Sequence, residues 1–311
     1  MHLLSFSRLS EVSEVKTSWV DVLRGSVPSP TIGTPSGIAF RDGHLYVCDT
    51  SDNSLHDWDL AGGRAQRIGV SDDAALAKPV AVTIDEQGTL YVADTERGEV
   101  VAFVPGGGEA DRFRPDDRKD FRPVGVAVQG TELYVADIVS HAIEVFDTAS
   151  GEHLRSIGKA GSAEGQFYYP TGLAFDNEGR LVVADLMNAR VQVIGTDGES
   201  ILSFGRPGNR YGDMGKPKRV AVGPDGVIFV ADPEFAHVHL FDWEGRLLML
   251  LGGPGNDAGS TPLPCGVAVA DTLPPRLTAL VPGDFDARYF LFVANSMGER
   301  RISLFAVGQS R

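Results

Sequence analysis

The sequence predicts an all-β fold of six four-stranded antiparallel blades set about an axis, on three observations. An apolar run recurs six times along the 311 residues, always opening on proline: PSGIAF at Pro35, PVAVTI at Pro79, PVGVAV at Pro123, PTGLAF at Pro170, PKRVAV at Pro217 and PCGVAV at Pro264. The steps between these prolines are 44, 44, 47, 47 and 47 residues. Each copy is followed by a second run ending on Asp or Asn (LYVCD, LYVAD, LYVAD, LVVAD, IFVAD, LFVAN), and 37 Gly with 18 Pro supply many tight turns. Four strands of this size with their turns need about 40–45 residues, the length of one β-propeller blade.

The elements follow in order. The first run of each copy reads as the inner strand. Its proline suits a strand start, and the residue two positions on is small (Gly37, Ala81, Gly125, Gly172, Gly266), as crowding round an axis requires. The second run is rich in Val, Leu, Ile, Phe and Tyr and is reached through turns such as DEQG (85–88) and DNEG (176–179), where Gly supplies the positive φ. A third strand is read in SLHDWD, EVVAFV, AIEVFD, RVQVIG, HVHLFD and RISLFA, and a fourth in HLRSIG, ILSFG and LLMLLGG. The sixth copy ends without a fourth strand. A propeller hides its closing edge, so residues 15–24 (within EVKTSWVDVLRGS) are predicted to complete blade six from the N-terminal side. The insertion DTLPPRLTALVPGDFDARY (271–289) in blade six begins Pro-rich, which suggests an extended surface loop. The whole chain, 1–311, reads as a single propeller domain.

Composition narrows the function. The balance of 28 Lys+Arg against 42 Asp+Glu gives a formal charge of −14, which repels a phosphate backbone and disfavours nucleic-acid binding. Such a field suits metal ions, cationic ligands or basic proteins, or simply solubility. Cys48 and Cys265 have no CxxC spacing, which excludes a zinc-thiolate site or a disulfide framework. They read as two buried thiols, with a single disulfide as the alternative. No run reaches the ~18 apolar residues of a membrane span, and the first residues lack the cationic start and apolar run of an export signal.

The stretch GQFYYPTGLAFDNEGRLVVADLMNARVQVIGTDG (165–198) resembles the NHL repeat, and the resemblance extends over nearly the whole chain from about Pro35. The segment VADPEFAHVHLFDWEGRLLMLLGGPG (230–255) resembles bacterial NHL-repeat proteins of the exported kind, often found near multihaem cytochromes. The resemblance implies a binding platform for protein or RNA, or, as in the peptide-amidating lyases, a zinc enzyme. It also implies a periplasmic or cell-surface location if the N-terminus is a mature one.

Several residues can carry chemistry. Asp49, Asp94, Asp137, Asp185 and Asp232, with Asn295 in the last copy, close the second strands. They can bond amides of the following turn or, as a ring at the channel mouth, gather a cation. His141 follows Asp137 by four residues, where the resemblance to the amidating lyases implies a zinc ligand, and His237 lies one position later in the equivalent loop of blade five. Arg219, beside Lys218, stands where the other copies have Gly or Ala. It is a candidate for binding a small anion in the channel or for an internal ion pair with Asp232 or a neighbouring closing Asp. Tyr168 and Tyr169 precede the repeat proline and suit a partner-docking surface, while Asn188 and Arg190 read as loop-to-loop ties on the same face. No Ser-His-Asp set, phosphate-cradling loop or CxxCH occurs. The function expected is a non-catalytic protein-binding platform, an accessory subunit of a larger, for example cytochrome-associated, assembly. The alternative is a metal-dependent lyase or hydrolase with one Ca or Zn ion at the channel mouth.

Overall fold

The computed structural model describes residues 1–8, 11–12, 31–71, 74–106, 108–116 and 120–311. Among them the chain forms six four-stranded antiparallel sheets, each built from consecutive strands except the last. Blade one comprises β2 (Pro35–Arg41), β3 (His44–Asp49), β4 (Ser54–Asp59) and β5 (Arg64–Ile68); blade two β6 (Pro79–Ile84), β7 (Leu90–Asp94), β8 (Glu99–Phe103) and β9 (Glu109–Phe113). Blade three holds β10 (Pro123–Gln129), β11 (Glu132–Asp137), β12 (Ala142–Asp147) and β13 (His153–Ile157); blade four β14 (Pro170–Phe175), β15 (Leu181–Asp185), β16 (Arg190–Ile194) and β17 (Ser200–Phe204). Blade five holds β18 (Arg219–Val222), β19 (Ile228–Asp232), β20 (His237–Phe241) and β21 (Leu247–Gly252). Blade six combines β22 (Pro264–Ala270), β23 (Phe285–Asn295) and β24 (Ile302–Ser310) with β1 (His2–Phe6). This is the six-bladed β-propeller expected.

The repeat proline sets the register. Pro123 pairs with Asp137 and Gly125 with Ala136, so Val124 is an extra residue on the inner strand, a β-bulge. The same irregularity follows Pro79, Pro170 and Pro264. Small residues beyond the bulge are a steric necessity, because neighbouring inner strands touch backbone to backbone. A Cβ on Gly125 would lie 2.0 Å from the Thr171 carbonyl, and one on Gly172 would lie 2.8 Å from the Arg219 Cα.

The apolar core lies between blades rather than within them. Tyr134, Ile143 and Val145 of blade three pack with Leu173, Leu181 and Val183 of blade four, and the other interfaces repeat the pattern. Ring closure uses the first residues of the chain. β1 pairs with β24 through Leu4–Leu304, Ser5–Ser303 and Phe6–Ile302, and Phe6 is buried against Trp58 of blade one. An N-terminal strand closes the ring as expected, and among the described residues it is residues 2–6; residues 15–24 lie outside the described residues. The blade-six insertion is no extended surface loop. Leu273 and Leu277, the latter in the helical turn α1 (Pro275–Thr278), anchor it in the core between blades six and one. Residues 285–289 lengthen β23 instead. Two buried leucines explain why that segment folds back.

Phe6→Ala removes a fully buried ring from the closure. It is expected to lower stability by about 3–5 kcal/mol, read from denaturant melts.

Candidate functional site

The residues preceding each repeat proline arrive beside the end of the second strand, and the closing Asp holds them there. Asp49 accepts from the amides of Gly33 (2.6 Å), Thr34 (2.9 Å) and Ser51 (2.8 Å). Asp94 does the same for Ala77, Lys78 and Arg97, and Asp232 for Gly215, Lys216 and Glu234. Asp137 takes the amides of Arg122, Val139 and Ser140, while Asp185 takes the Tyr168 amide with Asn188 Nδ2 and Arg190 Nε. All five carboxylates are buried. They bond the segment before the inner strand as well as the following turn. With their lone pairs turned to amides, they are poorly disposed to gather an ion.

On the face where these Asp residues lie, one aromatic cluster is exposed. Tyr168 and Tyr169 are 43% and 38% exposed, with ring centroids 5.3 Å apart, and His141 sits 5.0 and 4.8 Å from them. The cluster is held by its backbone. Tyr169 N donates to His141 Nδ1 (3.1 Å), Met187 N donates to Tyr168 O, and Leu186 N donates to Tyr169 O. Both His141 (φ 56°) and Tyr169 (φ 60°) adopt the left-handed conformation, which the repeat also imposes on Asn53, Ala189 and Ala236 at the position of His141 and on Leu263 at that of Tyr169. Met187 (53%) and Val139 (38%), each two residues after a closing Asp, extend the exposed surface on this face.

Arg219 lies across the channel. It donates to the carbonyls of Val80 (2.8 Å) in blade two, Thr171 (3.2 Å) in blade four and Lys218 (3.1 Å), and so bridges opposite blades. The expected ion pair with Asp232 or a neighbouring closing Asp is not formed, because those carboxylates face outward to the amides described above. Arg219 closes one end of a cavity of about 350 Å³ lined by the inner strands. Burial and the adjacent Arg219 charge push the Lys218 ammonium below its ordinary value. Cys48 and Cys265 are free and buried, and desolvation drives both thiols up, so neither is a ready thiolate nucleophile.

Arg190 is fully engaged with Asp185, Ala163 O (2.9 Å) and Gln166 O (2.8 Å), and Asn188 bonds Gly161 O. His141 and His237 lie in different blades, and among the described residues they share no group of three metal-ligating side chains. One such group, Asp49, Asp52 and His56, has its ligand atoms within 4.8 Å of one another. His56 Nε2 lies 3.0 Å from Asp52 Oδ2. Burial disfavours the Asp52 carboxylate, but hydrogen bonds from His56, Ser54 and Arg67 together outweigh this and hold it at about 2.

His56 belongs to a third-strand position that sequence reasoning passed over, the residue paired with the Val two before the closing Asp or Asn: His56, Glu144, Gln192 and His239 in blades one, three, four and five, with Ser303 in blade six. All five are buried. A polar residue repeated inside an otherwise apolar strand was the available signal. Most of these side chains reach back toward the blade's own closing residue: His56 to Asp49 at 3.8 Å, Gln192 to Asp185 at 3.4 Å, His239 to Asp232 at 3.9 Å, and Ser303 to Asn295 at 3.2 Å.

The fold and these ties define a six-bladed propeller whose blades are each closed by a buried residue at the end of the second strand. Residues 167–194 match the family model of the NHL repeat, and the match lies within blade four of the six-bladed β-propeller. Among solved structures it is similar to virginiamycin B lyase from Staphylococcus aureus (13% identity, TM-score 0.60, covering 88% of this chain and 84% of that one). It is also similar to the calcium-binding protein regucalcin from Agrobacterium tumefaciens (13%, 0.62, 90% and 92%) and to a chain of a nidogen/laminin complex (20%, 0.56, 72% and 83%). At such identities the likeness bears on the fold alone.

Asp185→Ala leaves the Tyr168 amide and Arg190 without their acceptor. It is expected to cost about 3–5 kcal/mol in denaturant melts, with Asp185→Asn losing clearly less. Because the folded Asp52 value lies below its unfolded one, its contribution is present above pH ~4 and is lost as pH falls toward 2. Melts between pH 2 and 5 are expected to show a shallower acid loss for Asp52→Asn than for the native chain.

Proposed function

We propose that the chain is a non-catalytic protein-binding platform, a subunit of a larger assembly, whose contact surface is the face of the closing carboxylates. One observation carries the reading: Tyr168, Tyr169 and His141 form an exposed aromatic cluster on a backbone held in place by Asp185 and the 186–187 amides. Exposed tyrosines offer large contact area at low entropic cost, and a fixed backbone reduces the ordering penalty of association. The net charge of −14 favours a basic partner. A likeness to a chain of a nidogen/laminin complex is consistent with a propeller engaging protein.

A second reading, a metal-dependent lyase or hydrolase, is favoured by the Asp49–Asp52–His56 group and by the likeness to a lyase and to a calcium-binding protein. It ranks behind because Asp49 already accepts four hydrogen bonds, including Ser51 Oγ, and Asp52 is paired with His56.

Crosslinking in the native host, followed by affinity measurement with the identified protein, tests the platform. Tyr168→Ser with Tyr169→Ser is expected to weaken binding by about 2 kcal/mol or more, roughly thirtyfold, at unchanged melting temperature. Full affinity in this double variant would place the contact elsewhere.

A further inference from the structure

Blade four shows how the strand-three positions serve the loop that enters each blade. Its loop, 158–167, is tied down by Asn188 Nδ2 to Gly161 O, by Arg190 to Ala163 O and Gln166 O, and by Gln192 to Gln166 O and the Gly165 amide. Blade five has the same loop 47 residues on, with the bridge Ala160–Phe167 repeated as Pro207–Met214. The residues corresponding to Asn188, Arg190 and Gln192 are there Phe235, His237 and His239.

None of the three bonds the blade-five loop, which is braced internally by Arg206 Nε to Asp213 Oδ1 (2.7 Å) and by the Arg210 amide to Asp213 Oδ2. A cavity of about 450 Å³ opens instead, lined among others by Tyr211, Phe235, His237, His239 and Leu250. His239 is only 2% exposed, and neither of its ring nitrogens has a hydrogen-bond partner. The corresponding His56 of blade one is bonded to Asp52, but in blade five Phe235 occupies the place of that carboxylate. A buried imidazole with both nitrogens unengaged costs free energy that a ligand would recover.

We propose that the blade-five cavity binds an imidazole-seeking divalent transition-metal ion through His237 and His239, its remaining positions taken by water or a donor from a small ligand in the cavity. Imidazole suits Zn²⁺, Cu²⁺ and Ni²⁺, and two histidines at i, i+2 on one strand present their rings to the same side. The rings are 6.4 Å apart between centroids, and a shared ion at about 2.0–2.1 Å from each nitrogen requires them to close by roughly an ångström. His237, on the rim, is only partly buried and has room to turn. Asp232 Oδ2, 3.9 Å from His239 Nε2, is placed to accept that N–H once the ring shifts, the carboxylate–histidine–metal arrangement that orients a ligand. Desolvation, with Asp232 opposing it and His237 adding to it, pushes His239 below its ordinary value. The inference is independent of the platform reading and concerns a different blade from the Asp49–Asp52–His56 group.

Titration calorimetry of the full chain with Zn²⁺ and Ni²⁺, and the spectrum of bound Cu²⁺, provide the test. One equivalent is expected, with nitrogen hyperfine coupling for Cu²⁺. Affinity should fall at least about tenfold in His239→Gln, which restores the blade-four residue, and in His237→Ala, with both variants retaining the native circular dichroism. Asp52→Asn and His141→Ala are expected to bind as the native chain does. Unchanged binding in the two blade-five variants, loss confined to Asp52→Asn, or no binding by the native chain overturns the proposal.

Discussion

The structure depends on one interaction repeated round the ring, a buried carboxylate at the end of the second strand that accepts the amides of the segment about to become the inner strand. Asp49, Asp94, Asp137, Asp185 and Asp232 each do this, and none of the five is exposed. An inner strand that begins on proline enters through residues with no ladder partner, and their amides would otherwise be orphaned beside the channel. A charged acceptor satisfies them, and a hydrogen bond to a charged group contributes about 1.5–3 kcal/mol. The bulge after the proline and the Gly or Ala beyond it follow from the same constraint, since only with the entry fixed can six inner strands meet backbone to backbone.

That tie also links fold to function. Asp185 holds Tyr168, and the turn after it holds both tyrosine carbonyls, so the exposed cluster on this face is a consequence of the anchoring that builds the blade. Arg219 is a variation on the same theme. At a position kept small elsewhere, its guanidinium joins carbonyls of blades two, four and five and closes the channel end that opens toward the tyrosines.

The propeller was legible because its determinants are local and copied: a proline, a small residue two positions on, and an Asp at a fixed distance. The N-terminal closure was legible, but the strand that makes it was not: HLLSF carries little outer-strand signal until it pairs with β24 and Phe6 meets Trp58, while WVDVLRG lies outside the described residues. The insertion of blade six was misread because Leu273 and Leu277 are unremarkable in a Pro-rich stretch until a core exists for them to enter. Arg219 was recognised as a departure from the repeat, but its partners were not, since carbonyls 48 and 139 residues away carry no sequence signal. The buried polar position in the third strand was visible in HVHLF and RVQVI. Its meaning emerges only when the blades are laid over one another.

Amide hydrogen exchange on the native chain tests the central role of the closing carboxylates most directly. The amides of Gly33, Thr34, Ala77, Lys78, Arg122, Tyr168, Gly215 and Lys216 lie outside the strands, yet they are predicted to exchange as slowly as the second-strand amides, opening only with global unfolding. Exchange at the rate of the exposed turns, such as that at 176–179, would contradict the account and leave the inner strands held by packing alone.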